Sequence, residues 1–203
     1  VTGGEEARPG KRNDLQKAVD TMRNTKSLKQ VAEQHATSWV HYHRGFESLF
    51  NMLFADSRDR SKGTDVVVLW GLTGTGKTKR AYELATKILG EQGLSFYVKA
   101  AYNMWWQDYH GEWVVIIDEY CGQWPIAYLL TVLDRYPMNI EYKGGSTQLQ
   151  ARMFIITSNT PPQEWYLTAP QEQKDALLRR CNRNIQVTSL EQEIDIESIE
   201  CIQ

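Results

Sequence analysis

The sequence predicts an α/β fold with a central, mostly parallel sheet, preceded by a small all-helical unit. Three observations carry this. Val66-Val67-Val68-Leu69-Trp70, Trp113-Val114-Val115-Ile116-Ile117 and Met153-Phe154-Ile155-Ile156-Thr157 are continuous apolar runs, as expected of strands buried on both faces. Helical patterns alternate with these runs, which is the grammar of a layered α/β domain. Ahead of them, residues 14–54 are helical throughout.

Residues 1–13, VTGGEEARPGKRN, are polar and Gly-rich without periodicity and read as a flexible linker. The abrupt start suggests a piece of a longer protein. In 14–54, Leu15, Val19 and Met22 recur at helical spacing. Ser27 to Gln30 fits a capping box before Val31-Ala32. Trp39, His43, Phe46, Phe50 and Leu53 then line one face of a longer helix. Residues 55–64, ADSRDRSKGT, form a polar linker.

The α/β domain is expected over 65–187. Its first strand leads into a helix running to about Leu89 and ended by Gly90. Phe96-Tyr97-Val98 reads as a short strand and Ile126–Arg135 as a helix stopped before Pro137. Asn139–Tyr142 and Thr147–Gln150 flank Lys143-Gly144-Gly145-Ser146, a hairpin signal. Residues 171–180 are again helical. The tail 188–203 holds five acids and no Lys or Arg, and is expected to be a solvated acidic end.

Composition narrows the functional classes. The 203 residues are 41% hydrophobic and 24% charged, an ordinary globular balance, so the bulk of the chain folds. Net charge is −2, whereas a protein that wraps nucleic acid with its whole surface is normally basic. Any nucleic-acid contact must therefore rest on a few local cations, or on their repetition in an oligomer. Cys121, Cys181 and Cys201 show no CxxC spacing, which supports neither a disulfide framework nor a zinc site. With no long apolar run and no signal peptide, the sequence reads as soluble and intracellular, without a membrane partner.

The chemistry centres on Gly71-Leu72-Thr73-Gly74-Thr75-Gly76-Lys77-Thr78, a complete G-x-x-x-x-G-K-[ST] motif set between a buried strand and a helix. Such a P-loop curls its backbone N–H groups around phosphate oxygens, and the helix N-terminus adds partial positive charge. Gly71, Thr73, Gly74, Thr75, Gly76, Lys77 and Thr78 are the expected nucleotide-binding residues, with ATP and Mg²⁺ as ligands. Lys77 reaches the β/γ-phosphates and the Thr78 hydroxyl coordinates the metal.

Asp118-Glu119 ends the second apolar run, at a strand tip where ligands of parallel sheets bind. Asp118 is the expected second metal residue and Glu119 the base for an attacking water. The third run ends Thr157-Ser158-Asn159, where a polar side chain meets the γ-phosphate and the water.

These elements resemble the superfamily 3 helicases of small viruses, an AAA+-like group of P-loop NTPases. The segments NMWWQDYHGEWVVIIDEY, LLTVLDRYPMNIEYKGG, ARMFIITSN and PQEWY, with DLQKAVDTMRNTKSLKQVAEQH and HRGFESL upstream, are similar to the replication initiator proteins of circoviruses and related circular single-stranded-DNA viruses. The similarity covers roughly 12–187. It implies a strand order of 5-1-4-3-2 and an ATP-driven hexameric helicase on single-stranded DNA, working in the host nucleus. Residues 14–54 become its oligomerisation unit. Lys143, at the hairpin tip, matches a pore-loop lysine that contacts the DNA backbone. Arg179-Arg180 falls where the group places its arginine finger, with Arg180 placed ahead of Arg179.

The same resemblance leads one to expect a nuclease domain upstream, absent from these residues. His41-Tyr42-His43 has the spacing of a nuclease metal pair but lies on a predicted helix, so packing is the better reading. Tyr102, Trp105, Trp106, Tyr109 and Trp113 fit core or interface packing better than base stacking, and Lys99 is a candidate for a basic pore lining. Three rival readings remain: an RNA-directed ATPase of the same superfamily, a small-molecule kinase, and a nucleotide-gated assembly module.

Overall fold

The computed structural model describes residues 13–25, 28–54, 63–90, 96–190 and 192. The linkers at 1–12 and 55–62, Ser27 of the expected capping box, Cys201 and most of the acidic tail lie outside the described residues. The chain divides into two compact units, Val1–Ala55 and Asp56–Gln203.

The first unit holds helices α1 (Asn13–Thr25), α2 (Leu28–Gln34) and α3 (Ala36–Phe54). Ala18, Met22, Val31 and Phe46 are its buried centre, with Leu15, Val19, Trp39 and Phe50 packed against it. Helix α3 is kinked at Tyr42, where φ is −132° and ψ is 15°. Leu53, expected on the apolar face, is 43% exposed beyond that kink. His43 lies against Trp39, its ring 6.1 Å from the indole, which is the packing role expected of it.

The second unit is built on β1 (Asp65–Trp70), α4 (Lys77–Leu89), β2 (Tyr97–Ala100), β3 (Val114–Asp118), α5 (Ile126–Val132), β4 (Asn139–Tyr142), β5 (Gly145–Gln148), β6 (Met153–Ser158), α6 (Gln171–Arg180) and β7 (Arg183–Gln186). The main sheet has the order β2-β3-β6-β1-β7, and all four pairings are parallel. Counted within this sheet alone, the order is the expected 5-1-4-3-2. This is the parallel-sheet α/β architecture expected of an AAA+-like P-loop NTPase.

Alternate residues of each apolar run face opposite layers. Val67, Leu69, Ile116 and Ile155 pack under α4 through Ala81, Leu84, Ala85 and Ile88. Val66, Val68, Ile117 and Phe154 face the other layer, with Leu129 of α5, Leu177 of α6 and an aromatic group of Trp106, Tyr109, Tyr120, Trp124 and Trp165. Burial on both faces is why these strands read as unbroken apolar runs.

Some boundaries shift. Helix α5 ends at Val132, not Arg135. Past that end Asp134 makes two non-helical contacts, its carbonyl accepting from Thr64 Oγ1 and its carboxylate from Arg180. The hairpin closes through the two-residue turn Lys143-Gly144, with Tyr142 opposite Gly145, so its second strand begins earlier than expected. Strand β7 has only one apolar residue, Ile185, and a burial pattern too polar to announce itself in sequence. Among the described residues no helix is long and apolar enough to cross a membrane.

Candidate functional site

The tips of β1, β3 and β6 are neighbours in register, which brings three separate stretches of sequence to one edge of the sheet. Thr73, Gly74, Gly76, Lys77, Thr78, Lys79, Glu119, Thr157, Ser158 and Asn159 line a cleft of about 290 Å³. A larger, shallower depression along α4, lined by Thr78, Lys79, Tyr82, Glu83, Thr86 and Lys87, holds neither Asp118 nor Glu119 and is a helix face rather than a reaction site.

The loop geometry follows from its glycines. Gly71 has φ 154°, and a Cβ there would lie 2.2 Å from the carbonyl oxygen of Val187. Gly76 caps α4 with φ 86°, a left-handed conformation that suits glycine and aims the first N–H groups of the helix into the cleft. Lys77 Nζ donates to the carbonyls of Gly71 at 2.9 Å and Leu72 at 2.8 Å, so its amine bridges its own loop. Partial burial pulls the Lys77 amine below the ordinary lysine value, against the attraction of Asp118 and Glu119. A triphosphate entering the cleft would meet a cation already oriented by these carbonyls.

Asp118 is the hub. Its Oδ1 accepts from Thr78 Oγ1 at 3.1 Å and from Thr157 Oγ1 at 2.6 Å. The Thr157 hydroxyl in turn accepts from the backbone N–H of Glu119 at 2.9 Å. Thr78 and Asp118 therefore present hard oxygen donors side by side beside a phosphate-shaped loop, the donor set Mg²⁺ takes when phosphates and water complete its octahedron.

Glu119 is exposed and sits at φ 55°, in the left-handed region, a conformation that costs a non-glycine residue about 1 kcal/mol or more. Gln123 holds it there. Its Nε2 donates to the Glu119 carbonyl at 2.9 Å, while its Oε1 accepts from the Cys121 N–H at 2.7 Å. The turn is thus fixed at both ends of the Glu119 peptide frame. Asn159 is exposed just past the tip of β6 and lines the same cleft as Glu119.

Three expected residues stand elsewhere. Lys143 is exposed at the tip of the β4–β5 hairpin, away from the cleft. Arg180 is half-buried and bound within its own chain, donating to Asp134 Oδ2 at 2.6 Å and to the Ala176 carbonyl at 3.1 Å. Burial alone would raise the Asp134 carboxyl, but the hydrogen bonds and charges of Arg180 and Arg135 hold it below the usual carboxylate value. Arg179, one residue earlier on α6, is exposed.

Lys99 does not line an open surface. It is 1% exposed, donates to the carbonyls of Ala100 and Asn103 at 2.8 Å each, and lies 5.8 Å and 5.4 Å from the rings of Trp106 and Trp124. A strand lysine at a sheet edge folds inward here because carbonyls and aromatic faces together solvate the ammonium. Of the nearby aromatics, Trp106 and Tyr109 are core, whereas Tyr102 is 83% exposed and Trp105 45%. The sequence also left Thr157 and Gln123 without roles. Thr157 carried a usable signal, being a hydroxyl at the end of a strand buried throughout, which must find a partner.

Comparison with known proteins bears on this geometry. Residues 67–160 match the family described as RNA helicase. The chain is 40% identical over 171 residues to the replication-associated protein of porcine circovirus 1, covering 84% of this chain and 53% of that protein. It is 36% identical over 185 residues to the replication-associated protein of goose circovirus, covering 91% and 59% respectively. The corresponding protein of human associated cyclovirus 1 is 34% identical over 151 residues, covering 74% and 53%. The chain spans about half the length of the curated relatives it matches.

Proposed function

Since the chain carries a domain of the RNA helicase family and is a relative of circovirus replication-associated proteins, we propose that it is an ATP-hydrolysing motor that moves single-stranded DNA through a homo-oligomeric, hexameric ring. The single observation that carries the hydrolytic reading is the Thr78–Asp118–Thr157–Glu119 hydrogen-bond chain at the mouth of the P-loop.

In this reading the P-loop amides and Lys77 bind the β- and γ-phosphates. Thr78 and Asp118 hold Mg²⁺, which when bound neutralises charge on the transferring phosphoryl group. Glu119 orients a water in line with the γ-phosphorus and takes its proton, and Asn159 fixes the water and a γ-oxygen from the other side. A kinase would instead need a second substrate at the place where Glu119 and Asn159 meet.

The active site is completed by a neighbour. Arg179, exposed on α6, is the better candidate to reach across a subunit boundary, since Arg180 is committed to Asp134. Residues 14–54 supply the oligomerisation unit, and the exposed Val40 and Met52 of α3 offer apolar surface for it. Lys143 at the hairpin tip contacts the phosphate backbone, one lysine per subunit, which reconciles DNA binding with a net charge of −2. In this reading the motor works in the host nucleus, with a nuclease domain of the full-length protein upstream.

The experiment is to compare single-stranded DNA and RNA of equal length as ligands and as stimulators of ATP turnover, for the wild type and Lys143→Ala. The proposal expects preference for DNA, and a variant with intact basal turnover but weaker, less salt-dependent binding. Preference for RNA would favour the RNA-directed ATPase, a reading kept open by the description of the matching family. Unchanged DNA affinity in Lys143→Ala would remove the pore role.

A further inference from the structure

The expected solvated tail begins instead as a strap laid against the P-loop. After β7 the Val187 N–H donates to the Trp70 carbonyl at 2.7 Å, and the Val187 carbonyl closes on Gly71. Arg80, in the first turn of α4, donates to the carbonyls of Ser189 at 3.3 Å and Leu190 at 2.9 Å. Gln192 ties the far end, accepting from the Thr188 N–H at 2.8 Å and donating to the Gln186 carbonyl at 2.9 Å. The Leu190 side chain rests on Gly76, where a Cβ would meet its Cδ2 at 2.5 Å, and yet Leu190 is 63% exposed. A large apolar side chain is thus held by its backbone against the phosphate loop, with most of its surface uncovered.

Sheet order says what covers it. The P-loop leaves β1, which lies between β6 and β7. Asp118 and Glu119 at the tip of β3 and Asn159 after β6 all stand on one side of the loop, and the strap after β7 stands on the other. A triphosphate whose γ end points to Glu119 and Asn159 must send its α-phosphate and nucleoside toward β7.

We propose that residues 187–190, clamped by Arg80, form one wall of a nucleoside subsite in which Leu190 packs on the base or ribose of the bound nucleoside triphosphate. This rests on the phosphate reading of the P-loop. An aliphatic platform rewards buried ring area and reads no hydrogen-bonding edge, so it favours purines over pyrimidines and separates ATP from GTP poorly.

The test compares equilibrium binding of MgATP and of magnesium tripolyphosphate, which lacks the nucleoside, to the whole chain and its variants. Leu190→Ala is expected to weaken ATP binding by about five- to tenfold, the scale of a partly buried leucine contact, and to leave tripolyphosphate unchanged. Leu190→Met, which restores an apolar surface, should keep wild-type ATP affinity. Unchanged ATP affinity in Leu190→Ala, or an equal loss for both ligands, would overturn the subsite. Failure of the wild type to bind either ligand would instead remove the phosphate reading beneath it, and the subsite with it.

Discussion

The Thr157 hydroxyl on β6 donates a 2.6 Å hydrogen bond to the same Asp118 oxygen on β3 that accepts from Thr78 on α4. One carboxylate oxygen therefore joins the P-loop helix to two strands, and its position depends on a residue from a third stretch of sequence. Thr157 also receives the Glu119 N–H, so Asp118 and Glu119 share a support.

Thr157→Val keeps the shape and removes the hydroxyl, leaving the Glu119 N–H without its acceptor. Lost buried hydrogen bonds of this kind cost about 1–3 kcal/mol. Turnover is expected to fall about tenfold or more, with a raised Mg²⁺ requirement and little change in nucleotide affinity. Steady-state phosphate release across a Mg²⁺ titration checks this; wild-type Mg²⁺ dependence would show that Thr157 does not position Asp118.

Burial of Lys99 pulls its amine from the ordinary 10.5 down to about 8. Between those pH values the unfolded chain binds more protons than the folded one, so stability rises with pH across this window. The penalty of burying the charge is fully present below about pH 8 and relieved above it. Lys99→Met removes this dependence. Thermal unfolding of both proteins at about pH 7 and about pH 10 should show the wild type gaining on the variant at the higher pH, by an order of 2–3 kcal/mol at most. Parallel pH profiles would mean that Lys99 is solvated as an ordinary surface lysine.

Arg179 and Arg180 separate by function. Arg179→Ala should lose turnover by a factor of about 10³ or more while keeping nucleotide binding and stability. Arg180→Ala should lose its pairing with Asp134, lowering stability modestly because the pair is partly exposed. Mixing Arg179→Ala subunits with Lys77→Ala subunits should restore some activity, because a mixed interface can hold one intact half from each. A fully folded but inactive Arg180→Ala, beside an active Arg179→Ala, would reverse the assignment.

Much of the fold was legible because parallel strands buried on both faces leave unbroken apolar runs, and β1, β3 and β6 are such strands. The P-loop was legible because its chemistry demands specific residues at fixed spacing. Strand β7 was not, since an edge strand with Asn184 and Gln186 exposed and only Ile185 apolar carries no apolar signature. The commitment of Arg180 and the burial of Lys99 were hidden for a common reason. Both depend on partners that helix and strand periodicity do not bring together, Asp134 for one and the Asn103 carbonyl with Trp106 and Trp124 for the other. The strap at Leu190 was masked by the acidic residues that follow it, which make the whole tail look solvated.

The reaction proposed for this cleft is hydrolysis of a bound nucleoside triphosphate by water that Glu119 activates. The most direct measurement is phosphate release by the wild type and by Glu119→Gln, with nucleotide binding measured on the same samples. Glu119→Gln is expected to bind ATP as tightly as the wild type but to turn it over slower by a factor of about 10² to 10⁴. Wild-type turnover in Glu119→Gln, or transfer of the γ-phosphoryl group to an acceptor other than water, would contradict it.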